Sequence, residues 1–361
     1  MQVFHFIIIL GLVVLAHELG HFFIAKLVGI KVEKFSMGMG PKIFGIKRGE
    51  TEYLLSLLPV GGYVKMAGEE PEEENEDKES DKNISEEDKK MKFYNKTVIE
   101  RAAVIAAGPI MNVILAVFIF TVVFMVGIPL LAPTVGDVLK NSAAQEANIQ
   151  KGDKIIAIGE NKIELWEDLT DIIHSNPGKK LTLTLLRKDK KIYIDIVPAK
   201  EKVTTIFNEE IEIGLIGITP GKKPEYIIER YNPFTSFIMA LNQTYAVTVN
   251  MYKALVMMLS RKIKAEITGP IGIFSIAKEK AESGLSNLWT FVAILSINLG
   301  IINLLPFPVL DGGHLVFLLI EKIKGTPVKV KYREIAQQVG AIVLIALTIL
   351  ITYKDILRLY H

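Results

Sequence analysis

Four apolar stretches, each near the length of a membrane-spanning helix, are the strongest constraint on how this chain can fold. A spanning helix needs about 20 mostly apolar residues. Of the 361 residues, 50% are hydrophobic, and they concentrate in four stretches, at 3–25, 102–131, 288–320 and 339–353, the last expected to extend towards Leu359. The first stretch lacks the basic start and small-residue cleavage site of a signal peptide, so we expect a retained helix.

Basic residues flank these stretches unevenly and thereby predict an orientation. Lysine and arginine are absent before the first stretch, but frequent after it, before the second stretch and after the third. Because these residues accumulate on the cytoplasmic side of membrane helices, we expect residues 26–101 and 321–335 in the cytoplasm. Residues 132–285 and both termini are then expected outside.

The first apolar stretch contains the pattern His17-Glu18-x-x-His21. Polar side chains inside a membrane are costly unless something satisfies them, so this cluster calls for a common partner. On a helix, His17 and His21 share a face and can bind one metal ion, with Glu18 beside it as a general base. Nitrogen ligands suit zinc, which in catalytic sites keeps three protein ligands and a water whose pKa falls to about 7. The alternative interpretation is polar packing between helices.

A third ligand is expected from residues 298–315, which read NLGIINLLPFPVLDGGHL. Pro306 and Pro308 interrupt helical hydrogen bonding, and irregular backbone at membrane depth occurs where protein or a wet cavity surrounds it. Asp311 is the only carboxylate in the third apolar stretch and is our candidate, expected in the irregular part of this stretch. His314 is its rival, and the chain has no cysteine.

The region after the first helix contains two kinds of sequence. Residues 51–66 form two short apolar β-prone runs separated by Pro59 and Gly61-Gly62, which predicts a hairpin. These runs are too apolar for an aqueous loop, so we expect the hairpin to associate with the membrane. Residues 69–90 are acidic and almost free of apolar residues, which is typical of a solvated, disordered loop.

Residues 135–199 change to a soluble, β-rich pattern that resembles a PDZ domain. A strand follows Lys151-Gly152-Asp153, an amphipathic helix surrounds Leu169–Ile173, and a hairpin with alternating apolar residues contains Arg187. From Asn232 to Leu259 apolar residues recur at helical spacing. This predicts an amphipathic helix that packs on a neighbouring domain or lies on the membrane surface.

Two separated motifs resemble the site-two protease family of intramembrane zinc metalloproteases. They are His17-Glu18-x-x-His21 and Asn303-x-x-Pro306-x-Pro308-x-x-Asp311-Gly312, in that order. Further features are similar to the bacterial regulator of sigma-E protease group, namely the PDZ-like domain, Gly108-Pro109-x-x-Asn112, Gly62-Tyr63-Val64-Lys65-Met66 and Gly269-Pro270-Ile271-Gly272. The resemblance covers nearly the whole chain.

This resemblance implies a set of roles for individual residues. One Zn²⁺ per chain would be bound by His17, His21 and Asp311, with Glu18 as the general base. Asn303 would hydrogen-bond the substrate backbone. The residues expected to help present the substrate are Asn112, Tyr63, Val64, Lys65 and Met66.

The resemblance also implies an activity and a location. We expect an intramembrane endopeptidase of the bacterial cytoplasmic (inner) membrane, with its active site towards the cytoplasm and its PDZ domain outside. Its expected partners are the lipid bilayer and single-span substrates such as anti-sigma factors or remnant signal peptides, after a site-one-type protease has cut them. The net charge of +2 and the absence of a basic patch predict no nucleic-acid partner.

Two other functions remain open at this point. One is a non-catalytic membrane adaptor whose PDZ domain captures exterior chain ends, although an adaptor would have no use for Glu18. The other is a zinc-dependent hydrolase of lipids or prenylated chain ends, which would have no use for a PDZ domain.

The predicted fold is thus a multi-pass α-helical membrane protein with about four transmembrane helices, a membrane-associated β-hairpin and one inserted extracytoplasmic PDZ domain. The expected divisions are a first transmembrane helix at 1–30, a hairpin region at 31–68, an acidic loop at 69–97, a second transmembrane helix at 98–131, the PDZ domain at 132–200, a linker with an amphipathic helix at 201–285, a third transmembrane segment at 286–320 and a fourth transmembrane helix at 335–361.

Overall fold

The computed structural model describes residues 2–69, 86–205, 210–222, 224–260 and 268–360. Most of the acidic stretch expected to form a loop, residues 70–85, lies outside this part of the chain. The helices are α1 (Gln2–Leu27), α2 (Glu86–Lys90), α3 (Val98–Val126), α4 (Ala143–Glu146), α5 (Trp166–His174), α6 (Pro233–Leu259), α7 (Pro270–Glu282), α8 (Leu285–Asn303), α9 (Asp311–Lys324) and α10 (Val330–Tyr360).

Within the described residues, four helical segments are long and apolar enough to cross a membrane. They are Ile8–Leu27, Val98–Val126, Leu285–Asn303 and Val330–Arg358. Each corresponds to one of the four apolar stretches, as we expected. Many of their large apolar side chains are exposed in the protein, in α10 above all, which is the arrangement that contact with lipid requires.

The hairpin that follows α1 is larger than predicted. It consists of β1 (Val32–Arg48) and β2 (Thr51–Met66), which pair antiparallel and are joined at Gly49, where φ is +64°. The prediction that the two halves of residues 51–66 pair with each other as a hairpin is therefore wrong, because both halves pair with β1.

The two halves of β2 lie on opposite sides of the first half of β1. Residues Phe35–Met37 pair antiparallel with Gly62–Val64 on one side and parallel with Tyr53–Leu55 on the other. The chain does reverse between the two halves of β2, as Pro59 and Gly61 suggest, but a segment of β1 lies between them. The segment 62–66 therefore forms an outer strand of this sheet.

The third apolar stretch is divided into two helices. After α8 ends at Asn303, residues 304–310 fold back against the start of α9, so closely that a Cβ on Gly312 would lie 2.2 Å from the Leu305 carbonyl oxygen. Asp311 is the first residue of α9 and does not lie in irregular backbone, which corrects our expectation. The proline-containing break sets the direction in which α9 begins and thus where Asp311 lies.

Helix α7 begins at the Gly269-Pro270-Ile271-Gly272 motif. The Asp355 carboxylate of α10, only 4% exposed, accepts hydrogen bonds from the backbone nitrogens of Gly269 at 3.2 Å and Gly272 at 2.9 Å. A carboxylate at this end of a helix satisfies N–H groups that have no partner within the helix. The motif is thus explained by helix capping.

The β-rich region contains the strand, the helix and the hairpin that the pattern predicts. Its strands are β3 (Ile128–Leu131), β4 (Asp137–Val138), β5 (Lys154–Ile158), β6 (Asn161–Lys162), β7 (Leu181–Arg187), β8 (Lys190–Ile196), β9 (Ala199–Thr204), β10 (Glu210–Leu215), β11 (Ile218–Thr219) and β12 (Tyr226–Glu229). The predicted strand is β5, the predicted helix is α5, and the predicted hairpin is the pair β7 and β8. The sheet order β6-β5-β7-β8, with α5, has a core that includes Ile155, Leu169, Leu183 and Leu185. The strands continue beyond residue 200, because β11 pairs with β4 and β12 pairs with β3.

Helix α6 confirms the predicted helix, but the residues that it buries are small ones rather than its large apolar side chains. Ser236, Ala240 and Thr244 are buried, while large apolar side chains including Phe234, Tyr245 and Leu259 are exposed.

The chain divides into two compact units, one of Met1–Val123, Pro233–Tyr252 and Glu266–His361, and one of Phe124–Asn232 and Lys253–Ala265.

Candidate metal centre

Three expected metal ligands meet in the first compact unit. Asp311 Oδ2 lies 3.0 Å from His17 Nε2 and 3.6 Å from His21 Nε2, and the two Nε2 atoms are 3.2 Å apart. Tetrahedral zinc with ligands at 2.0–2.2 Å requires ligand atoms about 3.3 Å apart. The triangle formed by these three atoms therefore has the size that a zinc ion needs.

Helix α3 packs against both histidines. His21 Nδ1 lies 2.8 Å from the Val104 carbonyl oxygen. Because a carbonyl only accepts, Nδ1 carries the proton and the Nε2 lone pair of a neutral ring points towards Asp311. Gly108 makes this approach possible, since a Cβ there would lie 2.4 Å from His21 Nε2 and 2.7 Å from His17 Cε1.

The electrostatics of the triangle also fit a cation. Asp311 Oδ2 is buried and has no hydrogen-bond partner among the described residues. A buried acceptor facing two imidazole nitrogens is costly unless a positive charge lies between them. Among the described residues, His17, His21 and Asp311 are the group of side chains that could hold a metal ion. Two imidazoles and one carboxylate are a ligand set found in catalytic zinc sites.

Glu18 lies beside this triangle. Segment 62–66 of β2 runs close to its side chain, since a Cβ on Gly62 would lie 3.1 Å from Glu18 Cγ, and the Val64 backbone interacts favourably with the carboxylate. Glu18, the two histidines and Asp311 line a common cavity of about 250 Å³. The arrangement places a proton acceptor where it can reach a water molecule next to the three ligands.

The structure brings part of the expected substrate-presenting segment to this cavity. Tyr63, Val64 and Met66 line it, whereas the Lys65 side chain is exposed and lies 3.8 Å from Glu33. Side chains alternate between the two faces of a strand, which explains why Val64 and Met66 are buried while Lys65 between them is exposed.

The two expected substrate-binding asparagines occupy different positions. Asn303, at the end of α8, places its Nδ2 atom 3.3 Å from His17 Nε2 and so lies at the triangle itself. Asn112 is fully buried in α3, with Nδ2 3.3 Å from His17 Nδ1, on the opposite side of that imidazole. It does not line the cavity, so the structure does not bring it to where a substrate would bind.

His314, the rival third ligand, lines the cavity but does not complete the triangle. Its Nε2 atom lies 3.4 Å from Gln337 Nε2, and its ring packs edge-on against Phe317. Among the described residues it is not part of the metal-ligand group.

A group of charged and aromatic side chains in the cavity was not expected from the sequence. Arg101 is 5% exposed and forms an ion pair with Glu321, which ties the start of α3 to α9. Arg333 contacts the Tyr94 hydroxyl and lies over the Tyr94 and Phe317 rings. The sequence contains one indication of this ion pair. Arg101 and Glu321 stand at the ends of apolar stretches, where a charged side chain needs a partner.

Comparisons with known proteins find similar proteins over nearly the whole chain. The family model described as Peptidase family M50 matches residues 5–347. The chain is 33% identical to the regulator of sigma-W protease RasP of Bacillus subtilis and 30% identical to the regulator of sigma-E protease RseP of Salmonella typhimurium. In both cases 98% of each chain is covered. It is also 30% identical to the zinc metalloprotease RasP of Oceanobacillus iheyensis, again over 98% of each chain.

Among solved structures, the chain is similar to the PDZ domain of an SdrC-like protein from Listeria monocytogenes. The similarity covers 24% of this chain and 83% of that domain, with 24% identity and a TM-score of 0.19. A score this low carries no structural argument, so the PDZ assignment continues to rest on the sequence pattern.

Proposed function

The chain belongs to peptidase family M50 and is a metalloprotease, and from this premise we propose that it is a zinc endopeptidase that hydrolyses peptide bonds within transmembrane segments. The observation that carries the proposal is the convergence of His17, His21 and Asp311, with Glu18, in one cavity among helices long and apolar enough to span a membrane.

The residues fit one zinc ion per chain, held by His17, His21 and Asp311. Such an ion would supply Lewis acidity, which would polarise the scissile carbonyl and lower the pKa of a bound water molecule to about 7. Glu18 accepts a proton from the attacking water and delivers it to the nitrogen of the departing product. Asn303, next to His17 Nε2, can donate an N–H to the scissile carbonyl oxygen as negative charge develops there.

Segment 62–66 supplies what an unwound substrate needs. In a transmembrane helix the scissile carbonyl is occupied by an i to i−4 hydrogen bond, so the helix must open locally before it can be attacked. Unpaired backbone groups in lipid cost several kcal/mol each. An extended substrate can recover these bonds by pairing with an outer strand. The edge beside Glu18 has the position that such pairing requires.

The wider setting follows from the names of the relatives and from the charge pattern. Two relatives are named regulators of sigma-factor proteases, so we propose membrane-bound substrates such as anti-sigma factors or remnant signal peptides, cut after a site-one-type protease. We place the chain in the bacterial inner membrane, with residues 26–101 in the cytoplasm and the PDZ-like domain outside.

The test uses the full chain in proteoliposomes together with a model transmembrane peptide. We expect one zinc ion per chain by elemental analysis, and cleavage within the apolar part of the peptide. The Glu18→Gln variant should bind zinc and leave the peptide intact. A wild-type protein that binds zinc but cuts only soluble peptides would contradict the proposal.

A further inference from the structure

Asn112 in α3 contacts the Nδ1 side of the His17 imidazole. It lies in α3, two turns after Val104 and one turn after Gly108, so the three residues share one face of the helix. This face lies against both histidines: Val104 contacts His21, Gly108 lies between the two rings, and Asn112 contacts His17.

The position of the Asn112 side chain is firmly set. The residue is 0% exposed. Its backbone carbonyl accepts a hydrogen bond of 2.8 Å from Ser296 Oγ in α8, and a Cβ on Gly300 would lie 3.4 Å from Asn112 Cβ. With α8 packed on one side and His17 on the other, the side-chain amide has little freedom except rotation about its last bond.

The orientation of this amide decides whether His17 can bind a metal. A neutral imidazole carries one N–H, and the Nε2 atom that faces Asp311 must keep its lone pair free to act as a ligand. The proton must then be on Nδ1, and Nδ1–H needs an acceptor. In the orientation shown, Asn112 Nδ2 lies 3.3 Å from Nδ1 while Oδ1 is buried without a partner among the described residues.

A half-turn of the amide exchanges the oxygen and the nitrogen with almost no change in shape. One amide atom remains unpaired in both orientations, so the contact with His17 decides between them. If Asn112 Oδ1 faces His17 Nδ1, then Nδ1 can carry the proton and the lone pair on His17 Nε2 stays free to bind a metal. The opposite orientation does not allow this. We propose that Asn112 is a positioning residue that accepts the Nδ1–H of His17 and thereby holds this imidazole in its metal-binding tautomer. This inference rests on the proposed role of His17 as a ligand.

The Nδ1 atom of His21 also has a hydrogen-bond acceptor, but a different one. Its Nδ1 is paired with the Val104 backbone carbonyl, which no substitution removes. The partner of His17 is a side chain, so its contribution can be measured. Partners of this kind change metal affinity by about 10- to 100-fold when they are removed.

The experiment measures zinc affinity of the detergent-purified full chain by competition with a chelating dye. We expect Asn112→Ala to bind zinc at least 10-fold more weakly, with the thermal unfolding of the metal-free protein unchanged. Asn112→Asp, whose carboxylate can only accept, should keep an affinity within threefold of the wild type. Ser296→Ala removes a bond to the same residue without touching the amide and should leave the affinity unchanged.

Three outcomes would overturn the proposal. If Asn112→Asp loses as much affinity as Asn112→Ala, the amide donates to His17 or acts only in packing. If Asn112→Ala keeps its affinity, Asn112 does not support the ligand. If Asn112→Ala raises KM alone, it contacts the substrate. Failure of the proposed function would look different, since the wild-type chain itself would then bind no zinc or cut no transmembrane peptide.

Discussion

Gly108 in α3 packs so closely on His21 in α1 that a methyl group on Gly108 would lie 2.4 Å from the His21 Nε2 atom. This distance is shorter than any real contact between a Cβ and a nitrogen, so helix and imidazole cannot both stay in place if a side chain is added. The close approach is what lets α3 hold the ring through Val104.

We therefore predict that Gly108→Ala damages the metal site selectively. Displacement of the two imidazoles should lower zinc affinity and cleavage by at least ~10-fold, or about 1.4 kcal/mol. Dye competition and peptide cleavage measure both quantities. The control is Gly340→Ala in α10, where the nearest atom to an added Cβ is the Val309 Cγ2 atom at 3.0 Å, which can move aside. Equal behaviour of the two variants would contradict the prediction.

The ligand assignment predicts different results for residues that lie only a few ångströms apart. His17→Ala and Asp311→Ala should lose both zinc and activity, because each removes one of three ligands. Glu18→Gln should keep zinc and lose cleavage, and His314→Ala should keep zinc. Elemental analysis and peptide cleavage distinguish these cases. Full zinc content in Asp311→Ala would show that the assignment is wrong and make His314 the candidate.

The role of the outer strand can be tested at Val64, whose backbone faces Glu18. Proline removes the N–H and should reduce cleavage of a stable helical substrate at least ~10-fold, or about 1.4 kcal/mol, with zinc content unchanged. A substrate already weakened by helix-breaking residues should lose less. Val64→Ala is the matched control, because it also shortens the side chain but keeps the N–H. Leu55 is less informative, since it pairs with both Met37 and Phe44 inside the sheet.

If proline and alanine at position 64 reduce cleavage equally, side-chain packing and not strand pairing explains the loss. The substrate comparison adds a second check. A template that replaces lost helical hydrogen bonds must matter most where the helix is most stable.

The β-rich region should lose stability in acid because of one ion pair. Asp153 is 1% exposed and accepts hydrogen bonds from Arg187 at 2.7 and 2.6 Å and from the Gln150 backbone at 2.8 Å. Burial acts to raise the pKa of the Asp153 carboxyl, but the bonds from Arg187 and Gln150 outweigh it, so the pKa lies below its usual value. The stabilisation is thus complete above the unfolded-state pKa of about 4 and is lost as pH falls through the lower folded-state value.

The protection of the β5 and β7 amides against hydrogen exchange in the full chain, taken relative to the intrinsic exchange rate at each pH, should therefore fall below about pH 4 in the wild type. Arg187→Ala should exchange faster at neutral pH as well, because it leaves a buried charge without its partner, which costs about 3 kcal/mol. Asp153→Asn cannot titrate and should show no such acid dependence. Acid sensitivity that persists in Asp153→Asn would assign the effect to another group.

The orientation can be tested by single cysteines, since the chain has none of its own. In intact cells, a cysteine at Ser80 should be protected from an impermeant thiol reagent, and one at Ser175, exposed at the end of α5, should be labelled. Membrane disruption should make both reactive, which controls for local shielding. The reverse pattern would show that the proposed orientation is wrong.

The sequence predicted which side chains come together at the candidate metal centre better than it predicted their surroundings, for physical reasons. His17 and His21 share a helix face by their spacing alone, and Asp311 is the only carboxylate in its apolar stretch. Such residues can be found without a structure, because a membrane leaves charged side chains few other uses.

Strand neighbours and buried contacts could not be found this way. Pro59 and Gly61 mark a reversal in β2, but no local pattern indicates that part of β1 lies between its halves. Asn112 has the residue type expected of a substrate contact, and only the packing of α3 against α1 shows that its amide faces a histidine. The pairing of β3 with β12 likewise joins segments that are far apart in the chain.

The division of the ligands between α1 and α9 has a consequence for biosynthesis. His17 and His21 leave the ribosome first, and Asp311 follows much later. Until α9 is inserted, the nascent polypeptide has two of the three ligands and cannot complete the triangle. With the proposed ligands, a protease assembled in this order is expected to stay inactive towards neighbouring membrane proteins until α9 has been inserted.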